Sequence, residues 1–291
     1  MNELAKKLIS IILCFLVGFL TAASILTGVV RQTVFSEEYY LATIAQPEYL
    51  KKVKEAILEK YKTVAAASGI PEEVLEETLD DAALHAMLRS HIHSAVAFFN
   101  DGDEYKDPVY PAGLISKPLY AYLESQTASG KPDDKAYARM DKTAYELAGM
   151  IRAKVCVIDV SSFDQGTARM NALGFLRIAK KCFVPSVGLL GVFVLAIIFI
   201  KLFSLRIWFH EIFASVWIGS SFVFVPASVF FLFTKIYDIH VQEEYVKFFV
   251  SGGVTRILYY LLALGGILFL GCSVALAILK LTEKRKHRRH S

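Results

Sequence analysis

The fold this sequence predicts is an all-α integral membrane protein, with four transmembrane helices and a helical extracytoplasmic domain inserted between spans one and two. Three observations lead there. Four runs, residues 8–30, 183–200, 212–233 and 257–279, carry no charged residue, and each is long enough to cross the ~30 Å hydrocarbon layer as a helix. The long segment 31–182 repeats its apolar residues at threes and fours, the period of helices, and not in the alternation of strands. The whole chain is 55% hydrophobic and 21% charged, more apolar than a soluble protein, in which charged residues make up about 25%.

The first run follows Lys6 and Lys7 and contains Thr21, Ala22 and Ala23, so it resembles a cleavable signal peptide as well as an anchor. It continues through Ile25, Leu26, Val29 and Val30, beyond the small-residue site, and an uncleaved anchor is expected. Orientation follows from the positive-inside rule. A cytoplasmic amino terminus places Lys6, Lys7, Lys201, Arg206, Lys280, Lys284, Arg285, Lys286, Arg288 and Arg289 on the inner side. Arg177, Lys180 and Lys181 oppose this assignment and are outnumbered. The expected division is a cytoplasmic N-terminus at 1–7, span one at 8–30, the outer domain at 31–182 and span two at 183–203. A cytoplasmic turn at 204–211, span three at 212–233, an outer loop at 234–256, span four at 257–279 and a basic cytoplasmic tail at 280–291 complete it.

The outer segment is long enough for a core of its own and is slightly acidic. Pro47 is expected to open a helix carrying Tyr49, Leu50, Val53, Ile57, Tyr61 and Val64 on one face, with Gly69 as its stop. Pro71 begins a short helix whose Glu72 and Glu73 suit the positive end of the helix dipole. Asp80 caps the next helix, whose face is Leu84, Met87, Leu88, Ile92, Val96 and Phe99. Residues 100–113 hold Gly102, Pro108 and Pro111 and read as a loop. Ser116 ahead of Pro118 reads as a helix cap for Leu119, Tyr122 and Leu123, and Ser129, Gly130 and Pro132 break the chain again. A long helix is expected from Asp133, with Tyr137, Met140, Tyr145, Leu147, Met150, Ile151 and Val155 as core positions. Val155 to Val160 is β-branched, but with no partner strand it reads as a helix end. Ser161 or Ser162 then caps a helix through Phe163, Met170, Leu173 and Leu176 that runs into span two.

Within the spans, Gly18 with Ala22, Ser215 with Gly219, and Gly271 with Ala275 are small residues four apart, the spacing that lets helices approach closely in lipid. Pro226 predicts a kink, and Trp208, Tyr237, Tyr259 and Tyr260 suit the membrane interfaces. None of the four runs has an ionisable acid or base near its middle, which speaks against ion-coupled transport.

The metal-ligand candidates are His85 with Asp81, which share a helical face, and His240 with Glu243, a fragment of a metalloprotease signature that lacks its second histidine. His91 and His93 are two residues apart and point about 200° apart on a helix. Asp101, Asp103, Glu104 and Asp107 have oxygen ligands but not the spacing of an EF-hand loop. In each case a solvated or capping role is the plainer reading, and no metal or other cofactor is expected. Lys284, Arg285, Lys286, Arg288 and Arg289 set topology and contact anionic lipid, each cation contributing about 1 kcal/mol. The lipid bilayer and a protein or peptide on the outer side are the expected partners, and no nucleic acid is expected. Cys14, Cys182 and Cys272 lie in or beside spans, which leaves Cys156 without a disulfide mate in the outer domain. No glycosylation sequon occurs, so a bacterial plasma membrane is the expected location. No phosphate-binding loop, dinucleotide glycine motif, nucleophile elbow or Cys-x-x-Cys pair occurs either.

These features predict a non-catalytic multi-pass membrane protein whose outer helices sense or bind a protein, peptide or envelope component. The alternatives are a permease-like subunit of an export system served by a separate ATPase, and, more remotely, a metal-dependent membrane hydrolase.

Overall fold

The computed structural model describes residues 3–127, 132–160, 167–200, 205–233, 241 and 243–290. Among them the chain is all helix, without strands. The helices are α1 (Glu3–Thr33), α2 (Glu37–Ile44), α3 (Pro47–Ser68), α4 (Glu72–Glu76), α5 (Asp81–Asp101), α6 (Ala112–Gln126), α7 (Asp134–Val155), α8 (Thr167–Ile200), α9 (Leu205–Phe233) and α10 (Glu244–His290). They form two compact units. One comprises residues 1–35, 172–238 and 254–291, the other residues 36–171 and 239–253.

In the first unit, α1, α8, α9 and α10 are each long and apolar enough to span a membrane. Between 11% and 39% of the most apolar window of each is buried inside the protein, so most of this apolar surface needs a hydrocarbon solvent. Specific pairs set the helix directions. Ser10 Oγ donates to Glu211 (2.8 Å), and Gly18 meets Ser215 and Gly219 further along both chains, so α1 and α9 run parallel. Ser24 Oγ donates to Ser186 Oγ (3.1 Å) and Gly28 meets the Phe183 ring, so α1 and α8 run antiparallel. Trp217 Nε1 donates to Ser273 Oγ (2.8 Å) and Phe224 packs on Gly265 and Gly266, so α9 and α10 are antiparallel too. The four helices therefore alternate in direction. Arg31 over the Phe183 ring (5.5 Å) and Lys180 over Phe35 (5.1 Å) lie at one end of this bundle. These cation–π contacts give Arg31 and Lys180 each an aromatic partner. Pro185 and Pro226 both lie inside continuous helices.

The second unit has an apolar core. Tyr49, Val53, Ile57 and Tyr61 of α3, Leu84, Leu88 and Ile92 of α5, Ile115 and Leu119 of α6, and Leu147, Ile151 and Val155 of α7 are all fully or nearly fully buried in it. Helix starts follow local chemistry. Asp80 accepts from Ala83 N–H (2.7 Å) and Asp133 from Ala136 N–H (2.8 Å), each supplying a partner that the first turn lacks. Gly69 and Gly102 end α3 and α5 in the left-handed region, at φ 71° and 79°.

Four features differ from the sequence expectation. Helix α2 was not foreseen; its first turn is Glu37-Glu38, and it buries Tyr39, Thr43 and Ile44. Helix α6 starts at Ala112 with Pro118 inside it, and Ser116 donates to the Ala112 carbonyl instead of capping. Tyr145 is exposed, because the buried stripe of α7 is Leu147, Ile151 and Val155, and position 145 points about 200° away from 147. The expected outer loop at 234–256 is already helical from Glu244, and its first turns belong to the second unit. There Tyr245 is buried, and Phe248 and Phe249 pack against Tyr49 with ring centroids 6.2 and 6.0 Å away. Lys52 pairs with Glu244 (2.9 Å) and Lys154 with Glu243 (2.6 Å). The expected caps at Ser161 and Ser162, together with Phe163 and Tyr237, fall outside the described residues.

Candidate functional site

The second unit has a cleft of about 480 Å³ between the loop after α5 and the helices α6 and α7. Its floor is small: Ala112, Ala144, Ala148 and Gly149. Among the described residues nothing stands within 4 Å of the position a Cβ would take on Gly149. At the rim Val109 and Tyr145 are each 83% exposed.

The loop wall is fixed at several points. Lys106 N–H donates to Ser94 Oγ (2.7 Å), and Asp107 pairs with Arg152 (2.9 Å). The Tyr110 hydroxyl accepts from Asp80 N–H and donates to the Thr78 carbonyl, both at 2.8 Å. Tyr105 is held by His91, whose ring is 0% exposed. Ile158 N–H donates to His91 Nε2 (3.1 Å), so the neutral ring carries its proton on Nδ1 and donates to the Tyr105 oxygen (2.7 Å). The Tyr105 hydroxyl is left to donate to Cys156 Sγ (3.7 Å). Burial lowers the His91 pKa to about 4 despite the opposing charge of Asp107. Burial likewise raises the Cys156 thiol, so this cysteine is a poor nucleophile. The relay from His91 through Tyr105 to Cys156 is thus a brace between α5, the loop and the end of α7.

Other residues named from the sequence are scattered. His85 lines a polar hollow with Arg89, Ser90, His93 and Glu37, in which His93 Nδ1 lies 3.0 Å from Glu37. Among the described residues no group of three or more His, Cys, Asp or Glu is placed to hold a metal ion, and that includes Asp81 with His85. Glu243 pairs with Lys154, while His240 lies outside the described residues. Gly18, Ser215 and Gly219 come together: a Cβ on Gly18 would lie 3.0 Å from the Ser215 carbonyl, and one on Gly219 would overlap the Gly18 carbonyl. Ala22 lines the groove beside them. A Cβ on Gly271, four residues before Ala275, would meet nothing within 4 Å among the described residues. Close approaches at Gly28, Gly265 and Gly266 were not singled out from the sequence, because only a facing ring, Phe183 or Phe224, makes those glycines necessary. Residues 284–290 continue α10 as helix, and the side chains of Lys284, Arg285, Lys286, Arg288 and Arg289 lie outside what is described.

The sequence also left Val109 and the Gly149 floor unmarked. The available signal was Gly149 itself, a glycine in the middle of a helix, which costs about 1 kcal/mol relative to alanine. The fold and the cleft together define an all-helical protein with four helices fit to span a membrane and a second compact unit bearing a preformed, mostly apolar cleft. Compared with known proteins, the chain matches no family model, no curated protein and no solved structure.

Proposed function

We propose that this protein is a non-catalytic, membrane-anchored binding protein. Four helices hold it in the bacterial plasma membrane, and the second unit captures a protein or peptide segment in the cleft between Val109 and Tyr145, on the extracytoplasmic side. The cleft carries this reading. Its apolar rim residues gain burial only when something covers them, its small floor admits a close-fitting backbone, and its wall is held before any ligand arrives. A projecting tyrosine beside a small-residue floor is the arrangement from which interface anchors are made. The alternating helix directions support placing both termini on one side, and the lysine and arginine tally supports calling that side cytoplasmic.

A photo-cross-linking amino acid placed at 109, at 145 and at the exposed control position Lys142 tests the reading in intact cells. Adducts of one discrete mass are expected at 109 and 145 and not at 142, and Gly149→Leu should abolish them by filling the floor. Equal adducts at all three positions, or adducts indifferent to Gly149→Leu, would reject the cleft as the binding site. Sidedness has its own test. A Lys142→Cys, Cys156→Ser protein should react with an impermeant thiol reagent in intact cells; reaction only after permeabilisation would reverse the orientation.

A further inference from the structure

The span-containing unit has a groove of about 570 Å³ between α9 and α10, with a polar end and an apolar wall. The bond from Trp217 Nε1 to Ser273 Oγ marks its apolar part. With the indole N–H committed there and the ring stacked on Phe269 (5.2 Å), Trp217 presents only apolar surface to the groove. His210 lies seven residues before Trp217 and Lys280 seven residues after Ser273. Because the two helices are antiparallel, both side chains sit about 10 Å from that bond, toward the same end. Ala214, Leu276 and Ala277 line the wall between. Two nitrogen donors at the head of a two-turn apolar trough match a molecule with a phosphate at one end and a hydrocarbon chain below it.

We infer that this groove is a binding site for a bilayer glycerophospholipid, with its phosphate between Lys280 and His210 and one acyl chain along Trp217 and Leu276. Helices that span a membrane always have lipid as a neighbour, so what needs explaining is selection. The groove between α1 and α9, about 550 Å³, is the internal contrast: it is lined by Cys14, Phe15, Phe19 and other uncharged residues and has no lysine, arginine or histidine. Its lining offers no cationic or imidazole group that would distinguish one headgroup from another. At the α9–α10 groove Glu283 lines the same end as Lys280, so the charge there is mixed. Recognition therefore rests on the placement of two donors, unlike the diffuse attraction of the basic residues from 284 onward.

The test uses the full-length protein in mild detergent, with defined lipids added and retained lipid counted by native mass spectrometry. Phosphatidylglycerol and phosphatidylethanolamine should both be retained. Diacylglycerol, which lacks the phosphate, and glycerol phosphate, which lacks the chains, should not. The double change Lys280→Gln, His210→Gln should lower phospholipid retention at least tenfold, Lys280→Arg should preserve it, and removal of residues 284–291 should leave it unchanged. Ala277→Trp, which fills the wall and leaves both donors unsubstituted, should lower retention as well and serves where the double variant does not fold. Equal retention by the double variant, equal retention of diacylglycerol, or loss on removing the tail would each overturn the proposal.

Discussion

His91 is sealed from water while its helix neighbours His85 and His93 are not, and its ring accepts a backbone N–H, so it cannot take a proton without breaking that bond. An unfolded histidine titrates near 6.5 and this one near 4, so the unfolded state binds the extra proton between those values and the folded state does not. The stability associated with His91 is complete above pH 6.5 and falls by roughly 3 kcal/mol as pH drops to 4. Thermal melts from pH 7 to pH 4 should show this loss, and His91→Gln should flatten it while lowering the melting temperature at pH 7. Tyr49 makes the opposite case. Its hydroxyl is buried with no hydrogen-bond partner among the described residues, so Tyr49→Phe should raise stability by about 1 kcal/mol in a denaturation titration. The sequence expectation of a solvated or capping role fails at His91, which is fully buried on the same helical face as Leu84, Leu88 and Ile92. What the face could not reveal was the Tyr105 hydroxyl and Ile158 N–H that make a buried imidazole tolerable, since one comes from the loop after α5 and the other from 67 residues along the chain.

Among the elements, α1 and α9 depend most on small residues. Gly18→Leu or Gly219→Leu forces the two backbones apart and should sharply lower the thermal stability of the detergent-solubilised protein, whereas Gly271→Ala meets nothing among the described residues and should be neutral. Helix α7 responds the other way, because Gly149 faces open space. Gly149→Ala should stabilise by up to about 1 kcal/mol through helix propensity, readable in the same melts. Helix ends such as Pro47, Gly69, Asp80 and Asp133 were legible because their chemistry is local: a cap or a left-handed glycine needs only its own turn. The start of α10 was not. Tyr245, Phe248 and Phe249 are spaced like interfacial aromatics, and only the ring of Tyr49, nearly two hundred residues earlier, identifies them as core.

At the scale of the molecule, the second unit is assembled from two stretches of chain, 36–171 and 239–253. Glu243 and Glu244 secure the later stretch through Lys154 and Lys52, and the Lys154 side chain is only 12% exposed. Glu243→Gln leaves that ammonium poorly compensated and should cost about 1–2 kcal/mol, seen as faster hydrogen exchange in the first turns of α10. The two-part construction also orders events in time. A ribosome adding roughly 5–20 residues per second needs several seconds to travel from residue 171 to residue 253. Throughout that interval the nascent unit has an uncovered aromatic face at Tyr49 and Tyr40, and two further apolar helices must be synthesised before Tyr245, Phe248 and Phe249 arrive to close it. Maturation of this unit is thus tied to the synthesis of α8 and α9, and a chain arrested after α9 would present the cell with a half-built core for its quality-control proteases to find.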